Sequence, residues 1–271
     1  NTKNIDENFI SKNFLKFINT QEGSLYEVKS QIQNRKVNIN IIDYKDSNKN
    51  IVNKNIRQFL KMILFIINFL SLYSSSNCSK IINITIFLTP FKKLLNNKQI
   101  LGVNEVNTGY STCGCNNIAN IVIYREEEWF KVLIHELFHN LNLDFCDYDI
   151  KESKRKLREN LKIQAKFNIY ECYCETNARF INILIYSFFN NFNIVSYKQF
   201  KENFKINFEK EVENSLLKAG LIISKIKNIK SYKEDSNVFD YYVITAALLY
   251  NFNNYIQFIN YDFNFKKTQE N

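Results

Sequence analysis

The chain has 271 residues, of which 45% are hydrophobic and 15% aromatic, so it can bury a substantial core. Only 5 Gly and 1 Pro occur, which argues against a turn-rich β-sandwich and favours long helices. The formal net charge is +9, yet the basic residues are scattered and form no nucleic-acid-binding motif, so nucleic acid is not the expected partner.

Before residue 125 the pattern predicts short strands around one helix. The helix covers residues 56–73, where apolar residues dominate. Pro90 follows a run of β-branched residues and ends it. Four stretches are predicted to be extended, the third of them as an edge strand: Val37–Ile42, Ile81–Leu88, 103–112 and Ile118–Tyr124.

A long helix is predicted next, over residues 126–141. Glu126, Glu127 and Glu128 suit the positive end of its dipole, and apolar residues recur every four positions from Trp129 onward. Because apolar residues cover most of its circumference, this helix should be the buried centre of the fold. After residue 150 the pattern is mostly helical, with helices predicted over 153–168, 170–190, 198–219 and 239–260.

These elements predict a single α+β domain over residues 1–271. Its N-terminal lobe, residues 1–145, contains the strands and the 126–141 helix, and its C-terminal lobe, residues 146–271, is mostly helical. The most apolar run, Met62–Leu70, is too short to cross a membrane. No signal-peptide pattern opens the sequence, so an intracellular protein, cytoplasmic or virion-associated, without a membrane span is expected.

The predicted central helix contains the sequence HELFH, from His135 to His139, which matches the pattern H-E-x-x-H. On a helix the two His side chains lie one turn apart on the same face and can bind one metal ion. Glu136 is then placed to take a proton from a water held by that metal. The chain has only 2 His, and their chance placement in this pattern has odds of roughly one in 2,000. One catalytic Zn²⁺ ion is therefore expected.

This motif in its context resembles the zincin metallopeptidases, over about residues 105–180. In that family an edge strand precedes the motif helix and pairs with an extended substrate. The resemblance therefore implies a zincin-like fold and a peptide or protein substrate, with Ile121–Tyr124 or Glu105–Thr112 as the strand. The stretches VNTGYS and IVIYREEEWFKVLIHELFHNL are also similar to uncharacterised metallopeptidases of large DNA viruses.

Catalytic zinc usually has three protein ligands, and no third His exists in this chain. The metzincin spacing would put the ligand at Phe145, which excludes that subgroup. The segment YECYCETNARF resembles the second motif of the gluzincins, with Glu175 three residues before the small Ala178. Glu175 is therefore the predicted ligand, and Glu171, one turn earlier on the same face, is the alternative. Three nearby aspartates remain further alternatives: Asp144, Asp147 and Asp149.

Peptide hydrolysis also needs a hydrogen-bond donor for the developing oxyanion. Both His are predicted ligands, so a Tyr is expected in this role. Tyr170 is the predicted donor, because it lies just ahead of the candidate ligand helix, where some gluzincins keep a catalytic Tyr. Three other tyrosines remain rivals: Tyr110, Tyr241 and Tyr242. Carboxylates that orient the His rings are expected as well, and Asp144 and Asp147 are the candidates.

The 6 Cys are too few for a disulfide scaffold of this size. Two pairs have Cys-x-Cys spacing, namely Cys113 with Cys115 and Cys172 with Cys174. A structural Cys₄ zinc site more often uses Cys-x-x-Cys spacing, and on a helix the second pair points to different sides. Free thiols are therefore expected, with a metal site or a disulfide as the alternatives.

The sequence thus predicts a zinc metallopeptidase with His135, His139 and Glu175 as ligands, Glu136 as base and Tyr170 as oxyanion donor. Two other functions compete: a metal site that only stabilises the fold, and a basic structural protein associated with nucleic acid or virions. Glu136 argues against the first, because a purely structural site has no use for a carboxylate there. The second predicts salt-dependent binding and an unchanged function on Glu136→Gln.

Overall fold

The computed structural model describes most of the chain. It covers residues 10–44, 54–93, 101, 106–146, 148–163, 167–190, 193–226, 232, 234 and 236–269, without the side chains of residues 54, 55, 190 and 261–269. Helices and strands are mixed along it, so the predicted α+β class is confirmed. Within these ranges no helix combines the length and the apolarity that crossing a membrane needs.

One mixed sheet supports the fold. Its five strands are β1 (Ser24–Ile32), β2 (Arg35–Asp43), β3 (Ile81–Leu88), β4 (Gly109–Ser111) and β5 (Ile118–Ile123). They lie in the order β1-β2-β3-β5-β4. The two central pairs, β2 with β3 and β3 with β5, are parallel, whereas the outer strands β1 and β4 each pair antiparallel with their single neighbour. β4 is thus an edge strand.

Residues that alternate along the strands direct one face of the sheet to the core. In the paired register Ile84 of β3 lies between Ile39 of β2 and Ile121 of β5, and all three are almost completely buried. The opposite face is more polar, and there the Asn83 amide donates to Asn120 on the neighbouring strand. A shift of one residue would exchange these faces, so the two-residue period sets the register.

Helices pack on both faces of the sheet and build the second half of the chain. They are α1 (Lys12–Thr20), α2 (Lys54–Ser71), α3 (Trp129–Asn140), α4 (Lys151–Leu161), α5 (Ile169–Phe188), α6 (Tyr197–Lys225), α7 (Thr245–Tyr250) and α8 (Phe252–Gln269). A two-residue-strand hairpin, β6 (Phe189–Asn190) with β7 (Asn193–Ile194), joins α5 to α6. A π-helical turn, Asp240–Ile244, leads directly into α7.

Helix α3 is the centre of the core. All 12 of its residues are buried, and it contacts α2, α5 and the β4–β5 edge of the sheet. This follows from its sequence, because no Gly or Pro interrupts the helix and its apolar residues occupy nearly every face. Leu133 and Leu137, on its innermost side, are fully buried.

The start of α3 differs from the prediction. The helix begins at Trp129 and not at residue 126. Glu128 has a φ of 59°, in the left-handed region, and its side chain caps no helix N–H group. It forms an ion pair instead with Lys93, at 2.9 Å, so the charge attraction to a side chain replaces the expected interaction with the helix dipole.

The other predicted elements agree with the structure to different degrees. The strand at Ile81–Leu88 and the helices at 56–73, 170–190 and 198–219 are confirmed, with shifts at their ends. The extended stretch predicted at 103–112 contains only the short strand β4, and residues 102–105 lie outside the described part of the chain. The helix predicted over 153–168 ends at Leu161. Helix α1, strand β1 and the β6–β7 hairpin had not been predicted.

Candidate metal centre

Helix α3 brings the two His rings together. His135 and His139 lie one turn apart, and their Nε2 atoms are 3.2 Å from each other. Both side chains are more than nine-tenths buried. Two ring nitrogens that face each other so closely in the interior must share either a proton or a cation, since two lone pairs, or two N–H groups, would repel.

A third donor comes from the first turn of helix α5. Oε2 of Glu171 lies 3.2 Å from Nε2 of His135 and 3.5 Å from Nε2 of His139. The three donor atoms therefore form a compact triangle with sides of 3.2, 3.2 and 3.5 Å. His135, His139 and Glu171 are one of two groups in the described residues that could hold a metal ion.

The triangle has the size that a zinc ion requires. Zinc bonds to His nitrogen and to carboxylate oxygen are about 2.0–2.1 Å long, so two ligands of a tetrahedral ion are about 3.3–3.4 Å apart. The observed sides of 3.2, 3.2 and 3.5 Å lie around that value. Three protein donors also leave the fourth position open, as a catalytic site needs. The residues therefore fit the zinc ion that the sequence predicts.

Glu175, the predicted third ligand, is not in this group. Its Oε2 lies 3.3 Å from Nδ1 of His135, on the far side of the ring from the nitrogen that faces the triangle. Its Oε1 is paired with Lys131 at 2.7 Å and with Arg179 at 2.9 Å. Glu175 lies one turn of α5 after Glu171, and its carboxylate is therefore outside the triangle. The structure thus brings Glu171, and not the predicted Glu175, to the two Nε2 atoms, and Glu175 lies beside the other nitrogen of His135 at an ion-pair distance.

The end of α3 supplies the corresponding partner for His139. Asn142 has a φ of 52°, and the N–H of Leu143 donates to the carbonyl of Phe138, which is the Schellman ending of a helix. This turn places Asp144 with its Oδ2 2.6 Å from Nδ1 of His139. Asp144 therefore takes the predicted ring-orienting role and leaves Nε2 facing the triangle.

Of the two other candidate aspartates, the structure describes only Asp149, which lies away from the triangle. Asp149 is exposed and pairs with Lys151, and Asp147 lies outside the described residues. The second possible metal group, His139 with Asp144 and Cys174, uses the opposite nitrogen of the same ring. The Cys174 sulfur is 3.8 Å from that nitrogen, whereas Asp144 is already hydrogen-bonded to it. Asp144 and Cys174 therefore lie behind the His139 ring, on the side opposite the triangle.

The groups around the two rings outweigh the effect of burial on their protonation. Burial by itself lowers the pKa of His135 and of His139. The Glu171 and Glu175 carboxylates raise the pKa of His135, and the Cys174 sulfur, followed by Asp144 and Glu171, raises that of His139, so both pKa values lie above the ordinary one. Burial raises the pKa of Glu171, whereas the two imidazoles lower it, and its net shift is downward. In the metal-free protein the site thus favours protonated rings, and a bound metal ion would displace those protons.

Glu136 borders a polar cleft beside His135. The cleft is also lined by Thr108 and Gly109, at the edge strand β4, and by Tyr241. Only 7% of Glu136 is exposed, yet within the described residues no hydrogen bond or ion pair engages its carboxylate. A buried carboxylate without a protein partner is free to bind a water or a substrate group.

Gly109 lets the edge strand lie close to the motif helix. A Cβ atom at this position would be 2.8 Å from the carbonyl oxygen of Val122 and 3.0 Å from a methyl group of Val132 on α3. Any side chain would therefore push β4 away from β5 and from the helix. Two stretches were predicted as candidates for a substrate-pairing strand. In the described residues β5, from the stretch 121–124, is internal in the sheet, whereas β4, from the other stretch, lies at its edge.

Tyr241, not Tyr170, lies at the cleft. Its hydroxyl donates to Oε2 of Glu171 at 3.0 Å, and its ring centre is 5.8 Å from that of His135. Burial raises its pKa well above the usual value, so the hydroxyl stays protonated at neutral pH. The Tyr170 ring is 6.3 Å from His139 but does not line the cleft. The structure therefore places Tyr241, and not the predicted Tyr170, beside Glu171 and the cleft.

The other two rival tyrosines differ in position. Tyr242 lines the same cleft, whereas Tyr110 packs against the aromatic cluster around Phe14 on the other face of the sheet. Tyr241 is held by the π-helical turn Asp240–Ile244. Such turns widen a helix locally and often occur at functional sites. No local signal in the sequence marks Tyr241, since it is 70 positions away from Glu171.

The cysteines do not form a second zinc site. Cys115 is bonded to Cys78 in a disulfide, so the expectation of free thiols is wrong for that residue. Cys113, Cys172 and Cys174 form no disulfide. The expectation holds for the Cys172 and Cys174 pair, both of which are buried in α5.

Comparison with known proteins adds no assignment: no protein-family model matches this chain, and no curated protein matches it. The function must therefore be argued from the geometry of the site.

Proposed function

We propose that this chain is a zinc-dependent peptidase of the zincin type, with His135, His139 and Glu171 as ligands and Glu136 as general base. One observation carries the proposal. Three donor atoms converge at the separations that a single tetrahedral ion requires, and the adjacent residue of the helix offers a carboxylate to the cleft. A merely structural metal site would not need that carboxylate.

The side chains around the triangle have separate tasks in this proposal. A bound zinc ion supplies an acidified water and polarises the carbonyl group of the substrate. Glu136 accepts the proton of the attacking water and passes it to the leaving amine. Tyr241 keeps its proton and can donate to the oxygen that gains negative charge, after releasing Glu171. Glu175 and Asp144 fix the orientation of the two rings.

The edge strand offers a place for an extended peptide. β4 pairs with β5 on one side and has no strand on its other side in the described part of the chain. Its Gly109 lines the same cleft as His135 and Glu136. A substrate added as a further strand would gain main-chain hydrogen bonds and be held in extended form next to the metal site. This favours peptide bonds over other hydrolysable groups.

The proposal is tested with purified protein loaded with zinc and assayed on a mixture of unstructured peptides by mass spectrometry. The wild type should contain about one zinc ion per chain, as a three-ligand site requires, and should cleave peptides. Glu136→Gln should keep the metal and lose hydrolysis, because the amide cannot accept the proton. An exposed glutamate supplies the control variant, Glu213→Gln, which should retain both. Full hydrolysis by Glu136→Gln would overturn the assigned role.

A further inference from the structure

One wall of the cleft carries an excess of positive charge close to the metal site. Three lysines share a single carboxylate there: Nζ of Lys93 is 2.9 Å, that of Lys131 3.5 Å and that of Lys218 3.9 Å from Glu128. All four residues line the cleft. Glu128 carries one negative charge on two oxygens. It therefore cannot neutralise the charges of three ammonium groups or accept all of their hydrogen bonds.

Arg179 adds a fourth cation to this wall. Its Nε donates to Glu175 at 2.9 Å, and its Nη1 donates to Glu211 and to Ser215. Its Nη2 has no hydrogen-bond partner in the described part of the chain. Since only 8% of Arg179 is exposed and it lines the cleft, these unused donors belong to a nearly buried guanidinium at the cavity wall.

The charges of the wall do not cancel. Four cationic side chains meet three carboxylates in these contacts, which leaves one positive charge. The cations are Lys93, Lys131, Lys218 and Arg179, and the carboxylates are Glu128, Glu175 and Glu211. In the described residues Glu136 and Glu171 form no ion pair with these four cations, since Glu171 faces the His rings. Glu127 accepts a hydrogen bond from the main-chain N–H of Lys93 and not from its ammonium group. In a largely buried cleft such an excess attracts an anion strongly.

The wall is adjacent to the metal site. Glu175 links the two, because one of its oxygens lies 3.3 Å from His135 and the other 2.7 Å from Lys131. Lys131 also precedes His135 by one helical turn, which puts their Cβ atoms about 6 Å apart. An extended peptide advances about 3.4 Å per residue, so a substrate group at this wall is within about three residues of the bond that reacts.

We propose that this wall, formed by Lys93, Lys131, Arg179 and Lys218, selects peptides that carry a carboxylate within about three residues of the scissile bond. The inference rests on the proposed peptidase function. The planar guanidinium and the ammonium groups match a carboxylate through charge-assisted hydrogen bonds. The carboxylate has two sources, an acidic side chain or the free C-terminus of the peptide.

The test uses sets of otherwise identical peptides. In one set a single Glu or Gln is moved through three positions on each side of a central bond, and in the other the C-terminus is a free carboxylate or an amide. Affinity is measured by fluorescence anisotropy on metal-free wild-type protein, and kcat/KM is measured on the zinc-loaded protein. Carboxylate peptides should be favoured roughly tenfold in both measurements, the usual size of a charge-assisted contact. The set that shows the preference identifies the source.

Lys218 provides the informative variant. Its side chain is 41% exposed, and among the described residues it forms a single, long ion pair at 3.9 Å, so Lys218→Gln should fold. It should lower the preference at least roughly threefold, since it removes the excess charge. An exposed lysine on the same helix supplies the control, Lys210→Gln, which should keep the full preference.

The outcomes separate the two proposals. Equal affinity for carboxylate and amide peptides, or no binding of either, would overturn the inference whether or not hydrolysis is seen. Hydrolysis without a preference would leave the peptidase function intact and reject the carboxylate wall. A binding preference that Lys218→Gln weakens, without any hydrolysis by the zinc-loaded protein, would support the wall and reject the peptidase function.

Discussion

Glu171 and Glu175 lie one turn apart on α5. The same substitution, Glu to Gln, should affect a different property of the protein at each position. In the structure Glu171 faces both Nε2 atoms, whereas Glu175 faces two cations and the outer nitrogen of His135. Glu171→Gln should therefore affect mainly metal binding. Glu175→Gln should affect mainly the stability of the metal-free protein.

The magnitudes follow from these contacts. Glu175 is 5% exposed and its partners Lys131 and Arg179 are each 8% exposed. Removal of one member of such a buried ion pair costs about 3–5 kcal/mol. The loss of its contact to His135 should weaken zinc binding by only about 10–100-fold, as for other groups that orient a ligand. For Glu171→Gln we expect more than about a hundredfold loss of zinc affinity, because a charged ligand is removed.

The metal-free stability of Glu171→Gln should change less than that of Glu175→Gln. The amide oxygen of the new residue can still accept the hydrogen bond from Tyr241. The two imidazoles that face Glu171 can release their protons when the carboxylate is removed, whereas Lys131 and Arg179 beside Glu175 stay charged. The expected loss is therefore below about 2 kcal/mol. Zinc affinity is measured by competition with a chromophoric chelator, and stability by urea unfolding in the presence of EDTA. The exposed Glu213 again supplies the control, Glu213→Gln.

A reversed pattern would refute the reasoning. If Glu175→Gln lost more zinc affinity than Glu171→Gln, the metal would be using the carboxylate that the sequence pattern favoured. If neither variant changed zinc affinity, the two His residues would not share an ion with α5 at all.

Three further predictions concern other parts of the site and the fold. Tyr241→Phe should keep zinc and lower kcat/KM for peptides roughly tenfold to hundredfold, because the donor hydroxyl is lost; an unchanged rate excludes that role. Burial raises the pKa of Asp240 from 3.8 to about 7, so its stabilising contribution is complete below about pH 4 and is lost as the pH rises through 7. Asp240→Asn should therefore flatten the dependence of the free energy of unfolding, measured in urea, on pH between about 4 and 7. The same pH dependence in the variant and the wild type would contradict the raised pKa. Cys78→Ser opens a disulfide that spans 37 positions and should cost about 4 kcal/mol by loop entropy; dithiothreitol should destabilise the wild type equally and leave the variant unchanged.

Several elements could be predicted because their signals are local. The β-branched run Ile81–Leu88 forms β3 at the predicted bounds. Strand β1 also has a signal, the alternation around Tyr26 and Val28, whose side chains pack against the core. The start of α3 could not be read in this way, because Glu128 forms its ion pair with Lys93, 35 positions earlier in the chain.

The residues of the site also differ in whether local sequence predicts their position. The sequence by itself determined that His135 and His139 face the same way and that Glu136 lies beside them, since helical periodicity depends only on neighbouring residues. Only the tertiary structure decided that Glu171 completes the triangle, that Glu175 supports a ring and that Tyr241 lies at the cleft. The reason is physical: the rotation of α5 about its own axis, and the approach of the π-helical turn, are set by packing across the core, which no local pattern encodes.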